Sequence, residues 1–149
     1  MRSDYLNVNS QHSNWKKKTE LVGAARTLTA DDSGKEFYLE STGGAFSINL
    51  PTGAGVEDGV NYKFLVQENS PTGAITIAAG SAIVFGRVTE TEVDTGDDGP
   101  GSSADGATGV SNVIIGTSAL QGDFIELDAY DGEWYLNGKS GKDGTVTTS

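Results

Sequence analysis

Apolar and polar side chains alternate with a period of two along most of the chain after residue 35. This period places successive side chains on opposite faces of an extended segment, so it predicts β-strands. Short turns rich in glycine separate the predicted strands, whose alternating runs cover residues 36–40, 45–50, 61–67, 74–78, 123–130 and 133–137. Two denser apolar runs cover residues 82–88 and 110–115. The pattern predicts an all-β fold, a small antiparallel β-sandwich or barrel that is jelly-roll-like and carries an extended N-terminal arm.

The inward positions of these runs define a predicted hydrophobic core. In the last run, for example, Trp134 and Leu136 share one face and Tyr135 lies on the other. The predicted core side chains are Phe37, Leu39, Phe46, Ile48, Leu50, Phe64, Ile75, Ile77, Ile125, Leu127, Trp134 and Leu136.

Two turn signals predict hairpins. Residues 41–44 carry the letters STGG, so we expect the runs on either side of them to pair as a hairpin. Pro51 ends the second of these runs because it has no backbone N–H to donate to a sheet. Asp131 and Gly132 separate the last two runs and give the strongest short hairpin signal in the chain.

Residues 1–25 show no period of two or 3.6, which predicts an extended N-terminal attachment arm outside the core. A short helix over residues 18–30 is an alternative that Gly23 disfavours. The arm holds apolar side chains that prefer contact with another surface, and consecutive lysines that suit an acidic one. A solvated, frayed terminus would have the same composition. The predicted partner-binding residues are Tyr5, Leu6, Val8, Trp15, Lys16, Lys17 and Lys18.

The β domain is predicted to span residues 26–138, followed by a short polar C-terminal tail at 139–149. Within the domain, residues 89–109 combine glycines with acidic side chains, and we expect a long loop that faces solvent. Asp94, Asp98, Gly99 and Asp105 fall at positions 1, 5, 6 and 12 of a calcium-loop register. A loose calcium site with oxygen ligands is therefore an alternative to a purely solvating loop.

The excess of acidic residues limits the classes of molecule that the chain is expected to bind. The chain has 10 basic and 21 acidic residues, a net charge of −11, and a sequence pI near 4.3. Affinity for nucleic acid comes mostly from Lys and Arg on phosphates, so this acidity argues against a nucleic-acid partner. No apolar run approaches the ~18 residues of a membrane span, and no secretory signal is evident. Because cysteine is absent, disulfides and thiol chemistry are excluded.

Candidate catalytic groups are few. His12 is the one histidine of the chain and lies in the predicted arm, which offers it neither a pocket nor a partner. Glu126 and Asp128 share one strand face at about 7 Å, a spacing comparable to the carboxylate pair of glycosidases, but a solvated outer sheet face gives the same pattern. No nucleotide-binding or serine-hydrolase motif occurs. We therefore expect no enzyme activity, no cofactor, and no catalytic or metal-binding residues.

The chain resembles small β modules of bacteriophage virion structural proteins. Residues 122–138, GDFIELDAYDGEWYLNG, are similar to the closing hairpin of such modules. The opening segment of such modules is similar to residues 27–29, Ser33, Gly34, Phe37, Leu39 and residues 48–51. The middle of the modules is similar to Gly59, Tyr62, Phe64 and residues 75–77. The resemblance covers residues 26–138 apart from the acidic segment.

The resemblance implies a non-enzymatic capsid decoration (cement) protein, which binds the outer surface of a phage capsid and stabilises the joints between its subunits. It also implies the major capsid protein as partner, a homotrimer, and a place on the outer capsid surface of the virion. The alternative is a receptor- or carbohydrate-binding module of a fibre or tail, in which Tyr130, Trp134 and Tyr135 would form a platform for sugar rings.

Overall fold

The structure of the protein is a computed structural model that describes residues 17–53, 56–91, 102–103 and 109–149. These residues form a small β-sandwich of two packed sheets, as the alternation predicts. The strands are β1 (Thr19–Val22), β2 (Arg26–Thr27), β3 (Glu36–Leu39), β4 (Phe46–Asn49), β5 (Asn61–Val66), β6 (Ile75–Ala78), β7 (Val84–Glu90), β8 (Ser102–Ser103), β9 (Asn112–Ile115), β10 (Phe124–Tyr130), β11 (Glu133–Ser140) and β12 (Val146–Thr148). A turn of 3₁₀ helix, Ala30–Asp32, follows β2.

The two sheets differ in size. The seven-stranded sheet has the order β1-β3-β5-β10-β11-β7-β8, and the five-stranded sheet has the order β12-β9-β6-β4-β2. Up to β7 the chain crosses to the other sheet at every connection. A strand that returns to a sheet after two crossings runs in the same direction as the one before it, so β1, β3 and β5 are parallel neighbours, as are β2, β4 and β6. Both sheets are consequently mixed, and the β-sandwich contains parallel pairs beside the antiparallel ones that the pattern predicted.

This crossing also overturns one of the two predicted hairpins. Strands β3 and β4 lie in different sheets, and residues 41–44 carry the chain from one to the other. The buried Ser41 hydroxyl stabilises this connection between the sheets. It donates a hydrogen bond to the Gly73 carbonyl at 2.8 Å and accepts one from the Gly73 N–H at 2.9 Å. A turn signal is local, and it does not say whether the next strand pairs with the last one or packs against it.

The hairpin at Asp131 and Gly132 is confirmed. Strands β10 and β11 pair in antiparallel register from Phe124 with Lys139 to Tyr130 with Glu133. Asp131 and Gly132 have φ angles of 53° and 77°, the left-handed backbone that the tightest two-residue hairpin turns require.

The core lies between the sheets and contains the predicted residues. All of them are buried except Phe46, which is half-buried and packs against the core. At the centre the Trp134 and Tyr62 rings lie 5.5 Å apart, and the Phe37 and Phe64 rings are stacked at the same separation. Such a cluster of buried rings contributes both area and specific geometry to the core of a glycine-rich chain.

Both ends of the predicted domain need correction. Strand β1 falls within residues 1–25, yet it pairs with β3 as the edge of the seven-stranded sheet, and Val22 is buried. Strand β12 falls within the predicted tail and pairs with β9, with Val146 buried. Each segment is too short to show a clear period, and burial of its single valine depends on a strand that lies far away in sequence.

The predicted loop at 89–109 also begins later than expected. Strand β7 continues to Glu90, whose side chain is fully buried and accepts a hydrogen bond from the Gly144 N–H at 3.0 Å. Most of the remaining acidic segment lies outside the described residues.

Candidate functional site

The outer face of the seven-stranded sheet is charged. Glu36, Lys63 and Glu126 lie side by side in register on β3, β5 and β10. Lys63 Nζ lies 2.8 Å from Glu126 Oε1 and 3.8 Å from Glu36 Oε1. The hydrogen bond with Glu126 raises the pKa of Lys63, and it does so against the effect of burial. This row is a ladder of ion pairs across three strands.

A shallow cavity of about 260 Å³ opens beside this ladder, and its lining adds Lys17, Lys35, Asn61 and Asp128. Lys17 Nζ lies 3.4 Å from Glu36 Oε1, and Lys35 is bonded to Asp32. The lysines around the cavity are therefore already paired with carboxylates of the same chain, which leaves little charge to attract an ionic ligand.

The two carboxylates that share a strand face have different surroundings. Glu126 is half-buried and held by Lys63, whereas Asp128 is exposed. Among the residues that the structure describes, no three His, Cys, Asp or Glu side chains form a cluster that could hold a metal ion. The described part of the chain also contains no helix long and apolar enough to cross a membrane.

The outer face of the five-stranded sheet has a different composition. Cross-strand register aligns Ser47, Thr76, Ile114 and Thr147 in one row, and Thr27, Asn49, Ala78 and Asn112 in the next. We call these eight side chains the uncharged face, because none of these outward residues is acidic or basic. In a chain with a net charge of −11, a sheet face that is free of charge in its described part is a surface suited to burial against a partner.

Sequence reasoning missed the uncharged face. The alternation already placed residues such as Ser47 and Thr76 on the outside of their strands. Their side-by-side arrangement depends on the pairing of β4 with β6 and of β6 with β9. The available signal was that the outward positions of these runs carry no charge, in contrast to Glu126 and Asp128.

The predicted arm residues Tyr5, Leu6, Val8, Trp15 and Lys16 lie outside the described residues. Lys17 and Lys18 are described and belong to the edge of the seven-stranded sheet: Lys17 pairs with Glu36, and the Lys18 carbonyl accepts a hydrogen bond from the Glu36 N–H at 2.9 Å.

Other predicted groups also lie outside the described residues, namely His12 and the calcium-loop residues Asp94, Asp98, Gly99 and Asp105.

The three aromatic residues of the proposed sugar platform do not lie together. Trp134 is fully buried in the core, whereas Tyr130 and Tyr135 are 63% and 43% exposed on the outer face. Trp134 therefore cannot contact a ligand, and any aromatic surface on this sheet has to be formed by other rings.

Comparison with known proteins identifies no relative. No protein-family model matches the chain, and a sequence search of curated proteins finds no match.

Proposed function

We propose that this chain is a non-enzymatic structural protein of a bacteriophage virion, a decoration (cement) protein that binds the outer surface of the capsid. The observation that carries the proposal is the difference between the two sheets: the uncharged face is suited to burial, and the charged outer face of the seven-stranded sheet is suited to water. The resemblance of residues 26–138 to phage β modules supports the same function.

An uncharged contact face is advantageous for a protein that is strongly acidic. Burying a charged side chain costs hydration free energy unless a partner compensates for it, and the centres of protein interfaces are depleted in charged residues. Thr76 and Ile114 lie at the middle of the face, on adjacent strands. They offer methyl groups and a hydroxyl for close contact with capsid subunits.

The uncharged face is too small to hold the protein on a capsid without further contacts. Five strands at about 4.8 Å spacing and two rows about 7 Å apart make a face of roughly 20 by 7 Å, which is well below the ~800 Å² that each partner contributes to a stable interface. We assign the remaining contact to the N-terminal segment up to residue 18, with Tyr5, Leu6, Val8 and Trp15 as anchors and with Lys16 and Lys18 as steering charges, since Lys17 is paired with Glu36. Assembly as a homotrimer, which the resemblance implies, would bring three uncharged faces and three N-terminal segments to the capsid.

The experiment is a cosedimentation assay with undecorated capsids of the phage that encodes the chain. Thr76→Glu places a charge at the centre of the uncharged face and should weaken capsid binding by about tenfold or more, the loss expected from a buried unpaired charge. Thr89→Glu makes the same change at an exposed position of β7 on the opposite sheet, so binding should be unchanged.

Thermal melts of both variants check that the fold survives, and the exposed Ser47→Glu variant provides a second test of the same face. Full-length protein that fails to sediment with capsids would overturn the proposal. So would purified virions that hold only a few copies, because a tail or fibre module is present in few copies and a decoration protein in hundreds.

A further inference from the structure

Six outward side chains on three adjacent strands of the seven-stranded sheet form a compact grid. Strands β10, β11 and β7 are neighbours, antiparallel and then parallel, and their register aligns the outward residues in two rows. We call this grid the β7–β11 patch; one row is Glu126, Asn137 and Arg87, and the other is Asp128, Tyr135 and Phe85.

The second row contains a pair of aromatic rings, the exposed Tyr135 and the half-buried Phe85. The Phe85 and Tyr135 ring centroids lie 6.3 Å apart, and the ring planes are inclined by 32°. Tyr135 is 43% exposed, and Tyr130, 63% exposed, lies diagonally across from it at the end of the β10–β11 hairpin. Burial of an aromatic face against a ligand is energetically favourable, so the exposed parts of these rings form an apolar surface for a flat ligand.

Polar groups of three kinds border the rings. Asp128 lies opposite Tyr135 and supplies a carboxylate, which accepts hydrogen bonds. Asn137 supplies an amide, which both donates and accepts, and Arg87 supplies a guanidinium, which only donates. All three side chains are exposed. A ligand with several hydroxyl groups, each of which donates and accepts, fits this mixture better than a ligand that only accepts or only donates.

The charge of the patch favours a neutral ligand. Arg87 and Asp128 have opposite charges, Glu126 is engaged by Lys63 at 2.8 Å, and Glu133 beside the patch accepts a hydrogen bond from the Tyr135 hydroxyl at 3.4 Å. Asp128 would repel an anionic ligand, and Arg87 would repel a cationic one.

The size of the patch favours a small ligand over a protein. The grid covers two strand spacings by one two-residue step, roughly 10 by 7 Å, which is far below the ~800 Å² that each partner contributes to a protein interface.

We propose that the β7–β11 patch binds a neutral saccharide. The rings of Phe85 and Tyr135 cover the C–H face of a sugar ring, and Asp128, Asn137 and Arg87 hydrogen-bond its hydroxyl groups. The patch lies on the sheet opposite the uncharged face, so saccharide binding and capsid binding can each fail without the other.

The test begins with the full-length protein on a printed array of neutral and acidic glycans, followed by NMR titration of ¹⁵N-labelled protein with the best neutral glycan. We expect saturable shifts at the amides of β7, β10 and β11. Tyr135→Ala and Asp128→Ala should each lower the affinity by about tenfold or more, as expected for loss of one stacking surface or one charged hydrogen bond.

The matched control is Tyr38→Ala, which removes an outward tyrosine from β3 of the same sheet, outside the patch. It should bind the glycan like the original chain. Melting curves verify that each variant is folded, and Tyr135→Ala should still bind capsids.

Three results would each overturn the proposal: no glycan bound on the array, shifts confined to another surface, or undiminished affinity in folded Tyr135→Ala and Asp128→Ala. Binding of acidic glycans alone would contradict the inferred neutrality. If the patch instead captures a protein and no glycan, it is a protein interface and the saccharide assignment is wrong.

Discussion

Asp32 lies at the centre of a cluster of charged side chains at one edge of the sandwich. It accepts hydrogen bonds from Lys35, from Arg26 Nη2 at 3.1 Å, and from the Thr29 N–H at 3.1 Å. Arg26 is bonded to Glu20 of strand β1 as well, and its guanidinium lies 5.3 Å from the centroid of the Phe37 ring. The Asp32 carboxylate therefore connects the 3₁₀ turn with Arg26 of β2, and Arg26 in turn contacts β1 and the aromatic core.

Two pKa values reflect this arrangement. Burial alone raises the pKa of Asp32, but the hydrogen bonds and positive charges around it outweigh burial and lower the pKa below its ordinary value of 3.8. Burial, and then the negative charge of Asp32, raise the pKa of Tyr62 to about 12, and the Tyr62 hydroxyl donates to the Thr29 carbonyl at 2.7 Å. The tyrosine is consequently neutral, and the aspartate is charged at pH 7.

Replacing Asp32 should make stability less dependent on pH. A carboxyl whose folded pKa is lowered stabilises the fold above its unfolded pKa, and this stability is lost as the pH falls through the folded pKa. We expect Asp32→Asn to lower the free energy of unfolding by about 1.5–3 kcal/mol at pH 7, the usual range for hydrogen bonds to charged groups. Urea titrations at neutral and acid pH should show a smaller loss on acidification than in the original chain. The neighbouring exposed Asp31→Asn is the matched control, and an equal effect of both changes would contradict the assigned role.

At the scale of elements, the short terminal strands complete both sheets. Strand β1 closes one edge of the seven-stranded sheet, and β12 covers β9 at one edge of the five-stranded sheet. Each buries one valine, Val22 or Val146, between the sheets. The ends of the described chain are therefore part of the folded body.

Truncation after Gly144 should destabilise the domain, because it removes β12 and uncovers Ile115, the residue paired with Val146. The expected loss in the free energy of unfolding is at least about 1.5–3 kcal/mol, the transfer free energy of one buried valine. Chemical denaturation measures it. Thr147→Ala, at an exposed position of the same strand, should change stability by less than about 0.5 kcal/mol. A truncated protein as stable as the full chain would mean that β12 does not hold the sheet edge.

At the scale of the whole molecule, charge is divided between the two outer faces. The seven-stranded sheet carries ion pairs such as Lys63 with Glu126, and the described outward positions of the five-stranded sheet carry no charge. The first of the described strands, β1, begins at Thr19, so deleting residues 1–16 leaves every described strand intact.

We predict that deleting residues 1–16 weakens binding to undecorated capsids and leaves the melting temperature nearly unchanged. Trp15→Ala alone should cost about 2 kcal/mol or more of binding free energy, as for an aromatic anchor buried at an interface. Cosedimentation of full-length and truncated protein measures the difference. If truncated protein decorates capsids as tightly as the full chain, the β body holds the capsid, and the assignment of the arm is wrong.

Much of the fold was accessible from the sequence because alternation is a local property. The period of two placed Phe37, Ile48 and Leu127 inward, and all three are buried. Asp131 and Gly132 predicted their hairpin because the left-handed turn backbone favours their residue types. These conclusions need only neighbouring residues, so one sequence is sufficient for them.

The pairing of strands depended on the tertiary structure. The alternation of β3 and β4 is the same whether the two strands pair in one sheet or pack face to face from opposite sheets. Burial of both apolar faces in a common core decides between these arrangements, and that core includes strands more than 80 residues further along the chain, such as β11. The uncharged face and the β7–β11 patch arise in the same way, because both are formed by side chains that are distant in sequence and adjacent only once the register is set.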